Sequence, residues 1–475
     1  MFLVMKMKWM GKSEMGKIRI QNIFPLSPMQ KGMLFSFVDG TNSCYEQVMI
    51  TVLGVLDIYL VEKSYNLLLE KHDALRSIFL YEGLQQPVQV ILTGRVNLVR
   101  YEDLSTLSEE EKELFIAHYR RNDREMGFDL SRGPLVRLSI LKVRADEYKI
   151  IFSFNHIVID GWCIGIIVKD FFEIYCALQK KETVIWNTGY SYRDYINWLE
   201  NQDKAKAQQY WRQYLDGYAK PALPPGAVKN DSQYLRREKE IIIDEELTKK
   251  IAIFARKNLL TVNTFFQTIW GILLQLYNKQ NDVVFGSVVS GRPYQIAGIE
   301  NIVGLFINTI PVRVTASPDT TALELLKSVQ KSQLSSLDYS YLPLAEIQME
   351  SILKNKLFNH VIAFENYPLD KSIKDFSFTH RAGFEVVNVE IEEETGYDFN
   401  LLCWFERTME IKIVYNANAF IEAEIESIGK QLTALAAKVL MTPNILVNDI
   451  DLLPDLSNLQ FAKKDDEEYG DFCFD

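Results

Sequence analysis

His156 is the side chain in this sequence best placed to do chemistry. It stands in Ser153-Phe154-Asn155-His156-Ile157-Val158-Ile159-Asp160-Gly161-Trp162, where an apolar run ends and a helical stripe begins. An unperturbed imidazole titrates at about 6.5, so near pH 7 much of it is neutral and able to take a proton. Asp160, just before the helical stripe, can cap or face the helix N-terminus, or pair with an arginine and lock the bend. Gly161 lets backbone approach closely, and its N–H can face a developing oxyanion. A histidine at a strand end also serves simply as structure, and His-xxx-Asp-Gly has few fixed letters. The strand–bend–helix context is what gives this motif its weight.

Other chemistries lack an anchor. The sequence has no Gly-x-Ser-x-Gly elbow, no Gly-x-x-x-x-Gly-Lys-[Ser/Thr] loop, no Gly-x-Gly-x-x-Gly and no His-Glu-x-x-His. Only five histidines occur (His72, His118, His156, His360, His380), and the five cysteines are scattered without a Cys-x-x-Cys pair. That cysteine usage fits a reducing, cytoplasmic setting and gives neither a disulfide framework nor a zinc site. The acidic run Glu390–Glu394 reads as a solvated loop or strand edge and not as a metal site. A net charge of −11 over 475 residues argues against a general nucleic-acid binder. No stretch reaches the roughly 18 apolar residues of a membrane span.

The elements that must position His156 are legible from periodicity. Apolar spacing predicts helices near residues 29–37, 59–72, 108–126, 161–180, 244–257, 262–278, 322–337 and 422–440. Strands are expected near 48–55, 76–81, 87–92, 135–143, 148–154, 283–289, 307–314, 360–364 and 409–415. The 161–180 helix carries one buried stripe through Ile164, Ile167, Val168, Phe171, Ile174, Tyr175 and Leu178. Helices and strands mix in both halves, which predicts a two-lobed α/β chain. The pattern breaks near 181–190, so the expected division is a leader over 1–17, a lobe over 18–182 carrying the His motif, a second lobe over 183–455, and an acidic tail over 456–475. The leader has only five apolar residues before its first lysine, too few for a signal-peptide core.

In their order the motifs resemble a condensation domain of nonribosomal peptide synthetases, over about Ile18 to Pro454. Leu26-Ser-Pro-Met-Gln-Lys-Gly-Met-Leu-Phe35 is similar to that family's first motif, and Lys71-His-Asp-Ala-Leu-Arg-Ser-Ile-Phe79 to the second, with Lys71 in place of arginine. Asn155-His156 through Gly161 resembles the HHxxxDG motif with its first His replaced by Asn. Tyr192–Trp198 resembles the fourth motif and Val303–Arg313 the fifth, with further likeness at Tyr341–Glu346 and Phe358–Phe364.

The resemblance implies two lobes, each like chloramphenicol acetyltransferase, in a V-shaped pseudodimer with a tunnel between them. It implies a peptide-bond-forming acyltransferase in which an upstream carrier protein presents an aminoacyl or peptidyl thioester. A downstream carrier presents the aminoacyl thioester whose amine attacks. His156 and Gly161 become the catalytic positions, and Asp160, Asn155 and Arg292 the structural ones around them. Arg76, Trp162, Ser290 and Asn308 become candidates for the tunnel or its motifs. No bound cofactor or metal is implied, since phosphopantetheine arms carry the substrates. The expected partners are carrier proteins and an adenylation domain, the expected state a monomer, whether standing alone or cut from a longer synthetase. Arg120, Arg121 and Arg124 are candidate docking residues on an acidic chain. An epimerisation domain and a non-catalytic recruiting domain are the alternative readings.

Overall fold

The computed structural model describes residues 18–40, 44–184, 191–228, 234–364, 383–392, 396–405 and 407–451. The expected leader, most of the expected lobe boundary and the acidic tail lie outside these residues.

The first half builds its sheet from β2 (Tyr45–Gly54), β5 (Arg100–Asp103), β6 (Val136–Arg144) and β7 (Glu147–Asn155), with β6 and β7 joined as an antiparallel hairpin. Strand β2 lies antiparallel to β7, and its outer neighbour is β12 (Phe384–Glu392) from the second half of the chain. A small separate sheet joins β1 (Arg19–Pro25), β4 (Val88–Thr93) and β3 (Ser77–Leu80). Helices α1 (Ile58–Lys71) and α2 (Trp162–Gln179) pack over the main sheet. Their apolar residues, among them Tyr65, Leu68, Ile164, Phe171 and Phe172, share one core with Val48, Ile50, Phe152 and Phe154. Polar pins supplement this packing: Asp170 on α2 accepts from Lys71 and His72, each at 2.7 Å. Burial alone raises the Asp170 carboxyl, and its contacts with His72 and Lys71 outweigh that, leaving the acid below its usual range.

The second half forms a six-stranded mixed sheet in the order β10 (Asn308–Thr315), β9 (Asp282–Val289), β11 (His360–Phe364), β13 (Phe399–Phe405), β14 (Met409–Asn416), β8 (Arg236–Ile243). Strand β11 runs parallel to both of its neighbours, and the other pairs are antiparallel. Helix α3 (Val262–Asn278) is buried against this sheet over an unbroken run from Thr264 to Gln275, its apolar residues joining the core of the second half. No single helix among the described residues is long and apolar enough to cross a membrane.

Most expected elements occur within a residue or two of their periodicity. One difference bears on the site: β2 begins at Tyr45, three residues before the expected start. Tyr45, Glu46 and Gln47 are polar at their tips, yet they pair with Asn155, Phe154 and Ser153 of β7. Strands β1, β5, β8, β12 and β13 have no counterpart among the sequence expectations. Glu390, in the acidic run, sits on edge strand β12, where Arg120 lies 3.7 Å from it.

His360 is fully buried at the start of β11. Trp270 Nε1 donates to its Nε2 at 3.1 Å, so that nitrogen carries a lone pair and the ring is neutral. Burial drops its pKa to about 3. The unfolded chain protonates this group below about pH 6.5 and the folded chain does not, so stability falls with pH from there toward 3. From pH 6.5 to 5 the expected loss is about 2 kcal/mol. Urea midpoints at the two pH values check it: His360→Phe should flatten that part of the dependence, and an equally steep fall in the variant would contradict the assignment.

Candidate active site

The His motif occupies the bend between β7 and α2. Asn155, almost fully buried, ends the strand, and its Oδ1 accepts from the Ile157 N–H at 3.0 Å. Its backbone carbonyl accepts from Val158 N at 3.1 Å. These two bonds form an Asx-type turn, a local device to which a short amide side chain is suited. The bend is thereby closed by the residue that replaces the first His of the motif.

His156 follows, with its N–H bonded to the Cys44 carbonyl at 2.7 Å, which ties it to the head of β2. Its Nδ1 lies 2.7 Å from the Ile159 carbonyl oxygen within the bend. A carbonyl can only accept, so Nδ1 carries the hydrogen and Nε2 is the basic nitrogen of the neutral ring. Nε2 lies 3.2 Å from Glu46 Oε1. The imidazole is 16% exposed and the Glu46 side chain 4%. Sequence reasoning did not find Glu46. The only signal available was an acid two residues ahead of the apolar alternation Val48, Ile50, Val52.

Asp160 is completely buried, and its carboxylate serves a purpose other than a helix cap. The N-cap of α2 is Gly161, with no side-chain cap bond. Asp160 Oδ2 accepts from Phe306 N at 2.8 Å and Ile307 N at 3.3 Å, while Oδ1 accepts from Arg292 Nη2 at 3.2 Å and Cys163 Sγ at 3.3 Å. The loop before β10 and the arginine after β9 offer charge-matched and backbone donors together, which outcompete a single helix-end amide. Arg292 Nη1 donates to the Ile299 and Ile302 carbonyls, both at 2.9 Å, and its guanidinium lies 4.0 Å over the Phe306 ring. Burial pushes the Arg292 pKa down and the Asp160 charge more than restores it, so it is raised overall.

Two glycines permit this close crossing. Gly291 has φ +60°, and a Cβ there would stand 1.8 Å from the Phe306 carbonyl oxygen. A Cβ at Gly304 would meet the Tyr192 ring at 2.2 Å, where the Tyr192 hydroxyl donates to Leu305 O at 2.6 Å. Gly161 itself has an ordinary helical φ of −55°.

Asn155, His156, Asp160 and Arg292 therefore converge on one bend. Trp162 opens α2 and is half-buried. Ser290 sits between β9 and Gly291. Asn308, at the start of β10, spends its amide on the Ser340 and Leu342 carbonyls, both at 2.7 Å. Arg76 lies in the turn after α1, held by Leu69 O at 2.9 Å, Leu92 O at 2.7 Å and Asp73, beside a cleft lined by Asn66, Arg95 and Asn97. Among the described residues no group of His, Cys, Asp and Glu is arranged to hold a metal ion.

Comparison with known proteins adds three findings. The family description "Condensation domain" matches residues 20–461. The chain is 39% identical over 441 residues to gramicidin S synthase 2 of Brevibacillus brevis, 92% of this chain and 10% of that protein. It is 38% identical over 463 residues to tyrocidine synthase 2 of Brevibacillus parabrevis, 97% of this chain and 13% of that one. The chain thus spans about a tenth of the length of these curated relatives. Among solved structures, the first condensation domain of the calcium-dependent antibiotic synthetase, in complex with a substrate analogue, has a TM-score of 0.72 at 17% identity. That match covers 91% of this chain and 99% of that one, and shows the shared mixed α/β fold.

Proposed function

Because the chain belongs to the condensation-domain family, we propose that it forms peptide bonds between two carrier-bound substrates, with His156 as the group that handles the amine. The upstream carrier's phosphopantetheine arm brings an aminoacyl or peptidyl thioester, and the downstream arm brings an aminoacyl thioester with a free α-amine. The amine nitrogen attacks the thioester carbonyl carbon, the C–N bond forms and the C–S bond breaks. The amine's surplus proton is taken up and leaves with the upstream thiol.

The residues suit that step. An α-amine titrates near 7.7–8.0, so at pH 7 most of it is protonated and cannot attack. With Nδ1 donating to Ile159, Nε2, which faces Glu46, is the nitrogen that receives that proton or holds the neutral amine in line when the ring is in its neutral form. The observation that carries the reading is this partly exposed imidazole, seated where the buried Asp160–Arg292 pair joins the His bend to the loop before β10. Gly161 and Trp162, which follow the bend, and Ser290 border the proposed approach of the arms. The partners are carrier proteins and an adenylation domain, and the chain itself needs no bound cofactor. Arg121 is exposed and available to an acidic carrier, whereas Arg120 is turned to Gln47 on the sheet at 2.7 Å.

The test mixes the purified chain with an upstream and a downstream carrier, each loaded, and reads both by mass spectrometry and, after release of the amino acids, by chiral chromatography. A dipeptidyl thioester on the downstream carrier is the expected result. D/L scrambling of the upstream residue without transfer would make the chain an epimerisation domain, and carrier binding without product a recruiting domain.

A further inference from the structure

We propose that Glu46 is a positioning residue for His156, its buried carboxylate holding the Nε2 side of the ring and making the imidazole a stronger base than an isolated one. This rests on His156 being the group that handles the amine, but the geometry behind it is independent of that reading.

The imidazole lies between two oxygens. Ile159 O at 2.7 Å claims the Nδ1 hydrogen, and Glu46 Oε1 stands 3.2 Å from Nε2. A neutral imidazole has one N–H, so with Nδ1 protonated the second contact is attractive only when a proton lies between Nε2 and the carboxylate. The pair consequently binds that proton more tightly than either group alone. Glu46 shares its face of β2 with Val48, Ile50 and Val52, and burying a charge at the head of an apolar stripe is unfavourable without a compensating partner. The alternate face carries Tyr45 and Gln47, whose polar tips are engaged with Asp123, Ser153 and Arg120.

The other ionisable groups near the bend are matched or neutral. Asp160 is compensated by Arg292. The Cys44 thiol, on the residue whose carbonyl holds the His156 N–H, is pushed up to about 12 by burial and by Glu46, so it stays neutral. Glu46 is thus the charge that faces the ring from β2.

Heteronuclear NMR of the histidine rings tests this on the full chain, with the His156 signals assigned by their loss in His156→Ala. Glu46→Gln keeps the shape and removes the charge, and the His156 pKa should fall by about 1–3 pH units. Glu46→Asp, a second variant should the first fold poorly, should retain part of the elevation. The acid limb of kcat/KM should move down with the ring pKa. An unchanged His156 pKa in Glu46→Gln, or a pKa in Glu46→Asp as low as that of an isolated imidazole, would overturn the proposal, even in a chain that condenses normally. A lowered pKa in Glu46→Gln, with a parent chain that makes no dipeptide, would instead leave Glu46 in place and overturn the proposed function.

Discussion

Replacing His156 by alanine should lower dipeptidyl product by about 10²–10⁴-fold, the usual worth of a positioned general base, with the fold retained. The side chain's polar contacts include Ile159 O and Glu46, and part of it meets solvent. Water can enter the partly exposed space left behind and solvate Glu46, so the stability loss should stay near about 1–2 kcal/mol, below that of a sealed ion pair. The pH dependence separates two roles. If His156 takes the proton, residual activity of the variant should climb as pH rises past the amine's own pKa of about 8, because the free amine then needs no base. If His156 only aligns the neutral amine, the deficit should persist at high pH. Wild-type product from the variant at pH 7 would remove His156 from the mechanism altogether.

Arg292→Ala carries the largest expected effect on stability. The substitution deletes two hydrogen bonds to the Ile299 and Ile302 carbonyls and a contact with the Phe306 ring. It also leaves the fully buried Asp160 without its cation. Breaking a buried ion pair from one side costs about 3–5 kcal/mol, because the remaining charge is stranded. Urea unfolding should show a loss of that size, and condensation should fall with it as the loop before β10 loses its anchor on the His bend. Asp160→Asn in the Arg292→Ala background should recover part of the loss, since the amide oxygen can still accept from Phe306 N while the stranded charge is gone. Equal midpoints for Arg292→Ala and the parent chain would show that the pair does not join the two halves.

Much of the fold can be read from the chain, for identifiable reasons. Helices such as 262–278 and 322–337 announce themselves because an apolar stripe repeating every 3.6 residues has one way to be buried. The second of them even advertises its start, with Thr321 and Glu324 closing a capping box. Strands β8, β12 and β13 are harder. Charges in β8 and β12 interrupt their apolar alternation, and their pairing partners lie far away in sequence.

The site divides in the same way. The bend that presents His156 is a local object: Asn155 closes it within two residues, Ile159 orients the ring within three, and ordered motifs name the family that uses it. Which groups surround that bend depends on contacts made across the chain. Glu46 reaches the imidazole because β2 pairs with β7 in one register, and a slip of a single residue would turn it to the opposite face. Asp160 bonds Phe306, 146 positions onward, because the bend after β7 and the loop before β10, folded from different stretches, meet in the closed chain. Spacing along a polypeptide encodes periodicity and turns, which act over a few residues. The charge beside an imidazole is fixed by long-range strand pairing and packing, and those become definite only when the whole chain has closed.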